Sequence, residues 1–469
     1  MSGAAQGAGP VDEHRLWRSE NPMTSRDTGA KRPGVSRRDF LRSAAAAGAS
    51  LAIAPRVFAG EGAGKPADLN VALIGVGSQG RILMMSGLKI PGIRFKAICD
   101  IWSYSQTYGE NVLKKFDQPV NVYVDYREML EKEKGLDAVL VATPDWVHAE
   151  QTVACLEAGL HVYCEKEMSN TLESAAAMVR AARETGRLLQ VGHQRRSNPR
   201  YLHAERLVHK DKILGRVTHV YGQWNRPQRL ILGWPKKYPI DDETLKRFGY
   251  GTMEQFRNWR WYKKYSGGPI ADLGSHQVDV FNWFLGTAPS DVVADGGLDY
   301  YEDGEWYDNI LATYAWRTAD GVARGVYEVL STTSFGGYYE TFMGDEGTLV
   351  LSEDVRKGYF VREMTAKKRE WEDDAEKVEK MGTEAIELKI GETRRATGEA
   401  SEKSLKAEAD LEKPVHQPHL ENFFDAVRNG TALTCPGEVG YETAVSVLRV
   451  NEAVGTGRRI QFKPEDFKV

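Results

Sequence analysis

The sequence predicts an α/β chain: an N-terminal doubly wound parallel sheet, then a C-terminal α+β domain on an open, mostly antiparallel sheet. Three observations carry this. Leu69 to Asp100 reads as strand, glycine turn, helix, strand and acid. Strands and helices then alternate as far as Gly192, at the spacing of a parallel sheet covered on both faces. From about residue 214 strands follow one another directly with apolar and polar positions alternating, the mark of an antiparallel sheet with one solvated face.

The first element is the most informative. The apolar run Val71–Ile74 feeds directly into Gly75-Val76-Gly77-Ser78-Gln79-Gly80. A helical pattern follows, then a second strand, Arg94 to Cys99, which ends on Asp100. In that setting G-x-G-x-x-G is a dinucleotide fingerprint. Gly75 permits the tight turn, Gly77 lets the backbone approach a pyrophosphate, and Gly80 lets the helix pack on the strand. Ser78 and Gln79 open the helix, whose unpaired N–H groups and dipole favour an anion. Asp100 lies twenty residues past Gly80, where an acid holds a ribose 2′-hydroxyl. Its carboxylate repels a 2′-phosphate, and Ile101 and Trp102 supply no cation to hold one. NAD is therefore expected over NADP.

The remaining elements follow in order. Asn121–Val124 reads as a strand edge and Asp125–Leu130 as a short helix. Leu136–Thr143 is a strand with an unbroken apolar core, as a central parallel strand requires. Pro144-Asp145 starts the next turn, and a helix runs from His148 to Ala158. His161–Glu165 is a strand, Leu172–Thr185 a helix and Leu188–Gly192 the sixth strand. In the second domain, strands are expected at 216–224, 291–298, 308–317, 321–328, 338–344 and 347–351, with one helix near Leu273–Leu285. Residues 357–414 are rich in Lys and Glu and read as a surface excursion with one strand at Ile386–Ile390. Pro418–Val427 and Glu438–Val454 close the chain as amphipathic helices.

Composition narrows the function classes. The chain has 469 residues and a formal net charge of −4, which gives neither a basic surface for nucleic acid nor an acidic tail. Four scattered cysteines include no C-x-x-C pair, so no disulfide framework and no metal site are expected. No apolar run reaches the length of a membrane span. Near the N-terminus, Ser36-Arg37-Arg38-Asp39-Phe40-Leu41-Arg42 reads as a twin-arginine export motif. An alanine-rich stretch, Ser43–Ile53, and a small-residue cleavage site after Ala59 follow. The expected organisation is a signal and linker over 1–66, a nucleotide-binding domain over 67–195 and a substrate domain over 196–469. The expected location is outside the cytoplasm, in the periplasm, where a nucleotide-dependent enzyme must carry its nucleotide with it.

Two constellations carry chemistry. The first is Cys164-Glu165-Lys166-Glu167, at the C-terminal end of a parallel strand, which faces the ligand crevice in such sheets. A lysine there can donate to a substrate oxygen; a solvated Glu–Lys pair is the alternative. The second is Gly267-Gly268-Pro269-Ile270-Ala271-Asp272-Leu273-Gly274-Ser275-His276-Gln277-Val278-Asp279. If a helix starts near Leu273, then Asp272, His276 and Asp279 share one face. The histidine suits removal of a hydroxyl proton, with Asp272 or Asp279 holding its tautomer; a satisfied helical histidine is the alternative. Arg195 and Arg196 follow the sixth strand and either bind sugar hydroxyls or an acidic group, or form a salt bridge between domains. Trp224 leads an aromatic-rich stretch whose rings can stack on a sugar or fill a core.

Together, Gly75-x-Gly77-x-x-Gly80 with Asp100, Ala142-Thr143-Pro144 with His148, Glu165-Lys166, and Asp272-x-Gly274-x-His276-x-x-Asp279 resemble the glucose–fructose oxidoreductase, inositol dehydrogenase and rhizopine-catabolism (Gfo/Idh/MocA) family. The resemblance runs from about Leu69 to the C-terminus. It implies a Rossmann domain followed by an α/β domain on an open sheet, oxidation of a sugar or cyclitol with a nicotinamide, and a homo-oligomer, dimer or tetramer. It implies that Lys166, Asp272 and His276 form the catalytic group. It adds Thr143, Pro144, His148 and Glu165 to the cofactor residues and Asp279 to the substrate residues. Exported relatives that hold their nucleotide tightly fit the twin-arginine motif. One departure is that the family's proline after the lysine is Glu167 here. A cis peptide is easy before proline and costly before glutamate, so the placement of Lys166 is left open.

Three functions compete. The first is an exported NAD-dependent dehydrogenase of a sugar, glycoside or cyclitol, with bound cofactor recycled by a second substrate. The second is a redox-neutral glycoside hydrolase that oxidises C3 transiently, eliminates the aglycone, adds water and reduces the sugar again. The third is a non-catalytic, NAD-bound carbohydrate sensor.

Overall fold

The first sheet is built from β1 (Leu69–Ile74), β2 (Ile93–Cys99), β3 (Asn121–Tyr123), β4 (Ala138–Val141), β5 (His161–Cys164) and β6 (Leu189–Val191). They pair in the order β3-β2-β1-β4-β5-β6, all parallel, in a computed structural model. This is the doubly wound order, with its switch point between β1 and β4. The structure describes residues 68–387 and 413–469, apart from 355, 374, 376 and 381. The twin-arginine motif, the alanine-rich stretch, the cleavage site and the last residues of the strand expected at Ile386–Ile390 lie outside the described residues.

The crossover helices are α1 (Ser78–Gly87), α2 (Ser103–Lys115), α3 (Tyr126–Lys132), α4 (Asp145–Glu157) and α5 (Leu172–Thr185). Every residue of β4 is buried, as a central strand covered on both faces must be. Asp125 and Thr171 cap α3 and α5 by accepting from Arg127 and Ser174 N–H groups. Sequence pattern missed α2. Its buried face is Ser105, Gly109 and Leu113, too small a set of apolar residues to show a helical period.

The chain then runs through α6 (Pro199–His209) and β7 (Val217–Asn225). Next come two short helices, α7 (Asp242–Arg247) and α8 (Met253–Arg257), and then α9 (Ser275–Leu285). The second sheet continues with β8 (Pro289–Gly297), β9 (Asn309–Thr318), β10 (Gly321–Leu330), β11 (Tyr338–Gly344), β12 (Gly347–Leu351), β13 (Tyr359–Arg362), β14 (Lys377–Lys380) and β15 (Thr383–Glu387). Helices α10 (Gln417–Asn429) and α11 (Gly437–Thr456) and strand β16 (Ile460–Gln461) close the chain. The sheet order is β14-β15-β13-β12-β11-β7-β10-β9-β8-β16; β7 and β10 run parallel and the other pairs are antiparallel. On its covered face Phe281 of α9 meets Trp316 and Phe342, and the Trp316 indole donates to Asn282 Oδ1 at 2.9 Å.

Two features depart from the sequence pattern. The excursion after residue 357 contributes three strands to the sheet edge. Their exposed Lys and Glu positions hide the pattern, while Phe360 and Ile386 pack in the core. Within the 196–469 segment, α10 returns to the parallel sheet. Its Leu420, Phe423 and Phe424 pack with Leu83, Phe95, Leu140 and Tyr163. The four cysteines are buried and unpaired. Among the described residues, no helix is long and apolar enough to cross a membrane.

Candidate active site

A cavity of about 720 Å³ lies at the C-terminal ends of β1, β2, β4 and β5 and runs to the sheet of the second half. That end of the strands is where ligands bind in open α/β sheets. The glycine turn forms its floor. Gly75 has φ +90°, and a Cβ there would meet the Ala142 carbonyl at 2.7 Å. A Cβ on Gly80 would lie 1.9 Å from the Gly75 oxygen, so α1 can approach β1 only with glycine at this position. Gly77 faces open space, and no side chain caps the start of α1. The N–H groups at Ser78 and beyond are thus left for an anion in the cavity.

At the end of β2, Asp100 accepts Val76 N–H at 2.7 Å and Trp102 N–H at 2.8 Å. Burial pushes its carboxyl up to about 6, against those two donors and the cations Arg81 and Arg257. The sequence neighbours Ile101 and Trp102 carry no cation, but α1 and α8 bring two from elsewhere. Arg81 stacks on the Tyr108 ring and Arg257 on the Trp102 ring. The open glycine cradle and the acid at the end of β2 fit a dinucleotide.

Between the two halves, Gln79 donates to Glu165 at 2.9 Å, tying the glycine turn to the end of β5. Thr143 and Pro144 line the cavity. His148 is buried behind them, its ring nitrogens 2.6 Å from the Thr143 carbonyl oxygen and 2.8 Å from that of Glu167. It bridges two cavity loops without forming part of the wall. Burial lowers its pKa to about 4, against the raising pull of the two carbonyls.

The Lys166–Glu167 peptide is cis, and Lys166 lines the cavity. Its Nζ donates to the Asp272 carbonyl oxygen and stands 3.6 Å from Asp272 Oδ1. The same carboxylate oxygen accepts from Arg260 Nε at 3.2 Å. Burial alone would raise Asp272, but Arg260, Lys166 and Arg226 outweigh it and hold the carboxyl far below the usual range. His276 opens the second turn of the same wall. Burial and the nearby Lys166 and Arg195 charges hold it well below the usual histidine range, so it is neutral. Its ring lies 5.4 Å from Trp224, which stacks on Tyr338 at 4.6 Å.

The tautomer expectation for Asp272 and Asp279 is corrected by this geometry. Residues Ile270–Gly274 form one π-helical turn that runs straight into α9 at Ser275. The wide turn directs Asp272 to Lys166 and Arg260. Asp279 is held by Arg196 Nε at 2.8 and 2.9 Å and by the Thr443 hydroxyl at 3.0 Å. His276 Nδ1 has no partner among the described residues.

Arg195 and Arg196 stand off the cavity wall. Arg195 is 1% exposed and pairs with Glu340 of β11 and with Glu353 just past β12, so the salt-bridge alternative describes both arginines. Several wall residues escaped the sequence reading, and three of them carry charge beside Lys166. Asp145, Arg226 and Arg260 belong to no motif and converge only in space. Asp145 is pushed up to about 7 by burial and by Asp272.

A large part of the chain matches known proteins. Residues 69–193 match an oxidoreductase family with an NAD-binding Rossmann fold, and residues 243–462 match the C-terminal alpha/beta domain of the same family. The scyllo-inositol 2-dehydrogenase (NAD(+)) of Bacillus subtilis is 26% identical over 228 residues, 48% of this chain and 58% of that protein. The 2,7-anhydro-N-acetylneuraminate hydratase of Mediterraneibacter gnavus is 25% identical over 226 residues, 48% of this chain and 52% of that protein. The chain thus spans just over half the length of these curated relatives. A levoglucosan dehydrogenase solved with NADH and levoglucosan superposes with a TM-score of 0.63 at 18% identity, over 84% of this chain and 99% of that one. With both halves matched in order around one glycine-lined crevice, the chain belongs to the Gfo/Idh/MocA oxidoreductase family and carries its NAD-binding Rossmann domain.

Proposed function

We propose that this chain oxidises a hydroxyl of a sugar, glycoside or cyclitol with NAD. One observation carries the reading: Lys166 and His276 line one cavity, at the strand ends that also carry the glycine turn. The glycine cradle and Asp100 would hold the cofactor. Bound NAD supplies the hydride acceptor. His276, neutral in its buried position, takes the hydroxyl proton as hydride leaves the same carbon. Lys166 donates to the substrate oxygen and stabilises its developing negative charge. Asp272 anchors Lys166 through its carbonyl. Trp224 and Tyr338 offer a ring face to the C–H face of a sugar.

Export by the twin-arginine route to the periplasm, with the cofactor retained, belongs to the same proposal. Retention is supported by the segment around α7 and α8. Its Ile240, Leu245, Tyr250 and Met253 pack with Trp102 beside the crevice. A homo-oligomer, dimer or tetramer, is also proposed. The open face of the second sheet exposes Leu311, Val322, Val326 and Met343 among Thr313, Arg317, Arg324 and Glu328, a mixed surface that a second copy would cover.

A second reading is favoured by Asp145. Redox-neutral glycoside hydrolysis needs one more acid–base group, to move the C2 proton after transient oxidation at C3. A cavity carboxyl near 7 suits that task. One experiment separates the readings. Purified protein receives a panel of sugars and glycosides with no nucleotide added, and reduced-nicotinamide absorbance is followed. A rise that stops when the bound cofactor is spent supports the dehydrogenase. Free sugar released without a rise supports the hydrolase. Neither signal, from protein confirmed to hold NAD, sinks both and leaves a sensor.

A further inference from the structure

The substrate end of the cavity carries more positive charge than its carboxylates answer. Lys166 and Arg260 share the single carboxylate of Asp272. Glu353, also on this wall, shares Arg195, 3.1 Å away, with buried Glu340. Glu165 lies on the cofactor side, bonded to Gln79. Asp145, pushed up to about 7, is largely protonated below neutral pH.

Arg226 follows β7 and is the cation left over. Among the described residues its guanidinium has no carboxylate within ion-pair distance and no hydrogen-bond partner; it acts only at longer range on the Asp272 carboxylate, which Lys166 and Arg260 already hold. It lies 5.6 Å from the Trp224 ring centre and lines the cavity with Trp224, Tyr338 and His276. Arg226 and Arg260 also flank a side cleft with Ser331. A half-buried guanidinium on a cavity wall, with its own hydrogen bonds unmade, is open to an anionic ligand group. Its planar fork matches a carboxylate. Its position at the edge of the aromatic wall suits a charge on the rim of a stacked sugar.

We infer that the substrate is an acidic carbohydrate, a uronate-type sugar or glycoside whose carboxylate is received by Arg226 with Arg260 beside it. The inference rests on the hydroxyl-oxidation reading of this cavity. The surplus charge selects acids over neutral sugars, and Arg226 is the specificity-determining residue.

The test is equilibrium binding to the NADH-saturated protein, followed by tryptophan fluorescence. Glucuronate is compared with glucose, galacturonate with galactose, and glucose 6-phosphate serves as a phosphate control. At least one acid should bind roughly tenfold tighter than its neutral parent, with the advantage shrinking in high salt. Arg226→Gln should erase the advantage while NADH still binds, and Arg226→Lys should keep part of it. Equal binding within both pairs, no binding by either acid, or a preference that survives Arg226→Gln would overturn the inference. So would a phosphate sugar that outcompetes both acids. An acid that binds without any hydride transfer to NAD keeps the inference and sinks the oxidoreductase reading instead.

Discussion

Lys166 grips Asp272 twice, donating to its backbone carbonyl and standing 3.6 Å from its carboxylate. The contact joins the loop after β5 to the π-turn before α9, so it fixes the two catalytic loops relative to each other. Only the carboxylate is shared with Arg260. Lys166→Met removes the donor to the substrate oxygen and leaves the glycine cradle intact. Turnover should fall by about 10²–10³-fold, with NADH affinity within about twofold of the parent. Asp272→Asn keeps the backbone grip but frees two cations, so it should damage substrate affinity less than it damages turnover. Steady-state kinetics beside NADH titration checks both.

His276 should set the acid limb of the reaction. Its conjugate acid is held well below the usual histidine range by burial and by Lys166 and Arg195. The neutral base is therefore present at and above pH 6.5, and activity governed by it should fall only below that value. A kcat/KM profile with an acid limb centred above pH 7 would contradict this assignment. His276→Gln should lower kcat by about 10²–10⁴-fold and abolish that limb.

Much of this was legible because the signals are local. The glycine turn, its helix and Asp100 lie within one short stretch and form one structural unit, and the alternation of strands and helices gives the sheet order. Spatial convergence was not legible. Arg81 and Arg257 reach Asp100 from α1 and α8, while its immediate neighbours show no cation. The face shared by Asp272, His276 and Asp279 assumed a regular α-helix, and the π-turn over Ile270–Gly274 breaks that period. Arg195 and Arg196 look alike beside a crevice, and only their partners Glu340, Glu353 and Asp279 show that both serve the frame.

Glu167 should make stability depend on pH near neutrality. Burial raises its carboxyl from 4.5 to about 8, and one of its oxygens has no partner. The folded chain thus binds this proton more tightly than the unfolded chain. The resulting stability is fully present below about 4.5 and is lost as pH rises through about 8. Buried His148 and His193, lowered from 6.5 to about 4, act in the opposite sense but only below 6.5. Asp145 and Glu340, each raised to about 7, fade just above neutrality. Across the interval from pH 7 to 8 Glu167 therefore makes the largest single contribution, with smaller ones in the same direction from Asp145 and Glu340. Melting temperature should drop across this interval, and Glu167→Gln should make the drop shallower. An equal slope in the variant would show that Glu167 is ionised in the fold.

Trp102 should govern how long the cofactor stays. It follows the acid of β2 and packs with Ile240, Leu245, Tyr250 and Met253, and its indole donates to the Tyr238 carbonyl at 2.6 Å. Arg247 of α7 adds an ion pair to Asp125 at 2.9 Å. Both contacts pin the α7–α8 segment beside the crevice, and nucleotide release is expected to require that they part. Trp102→Phe keeps an aromatic ring but deletes the indole N–H donor, worth about 1 kcal/mol, and some of the packing of this buried side chain. If the donor's share of the loss falls on the pinned state alone, NADH should leave about fivefold faster while its association rate holds, since 1.4 kcal/mol corresponds to a factor of ten. Stopped-flow displacement of NADH reads both rates. An unchanged off-rate in a variant of normal melting temperature would mean that the segment does not gate release, and retention would then have to come from the glycine turn and Asp100.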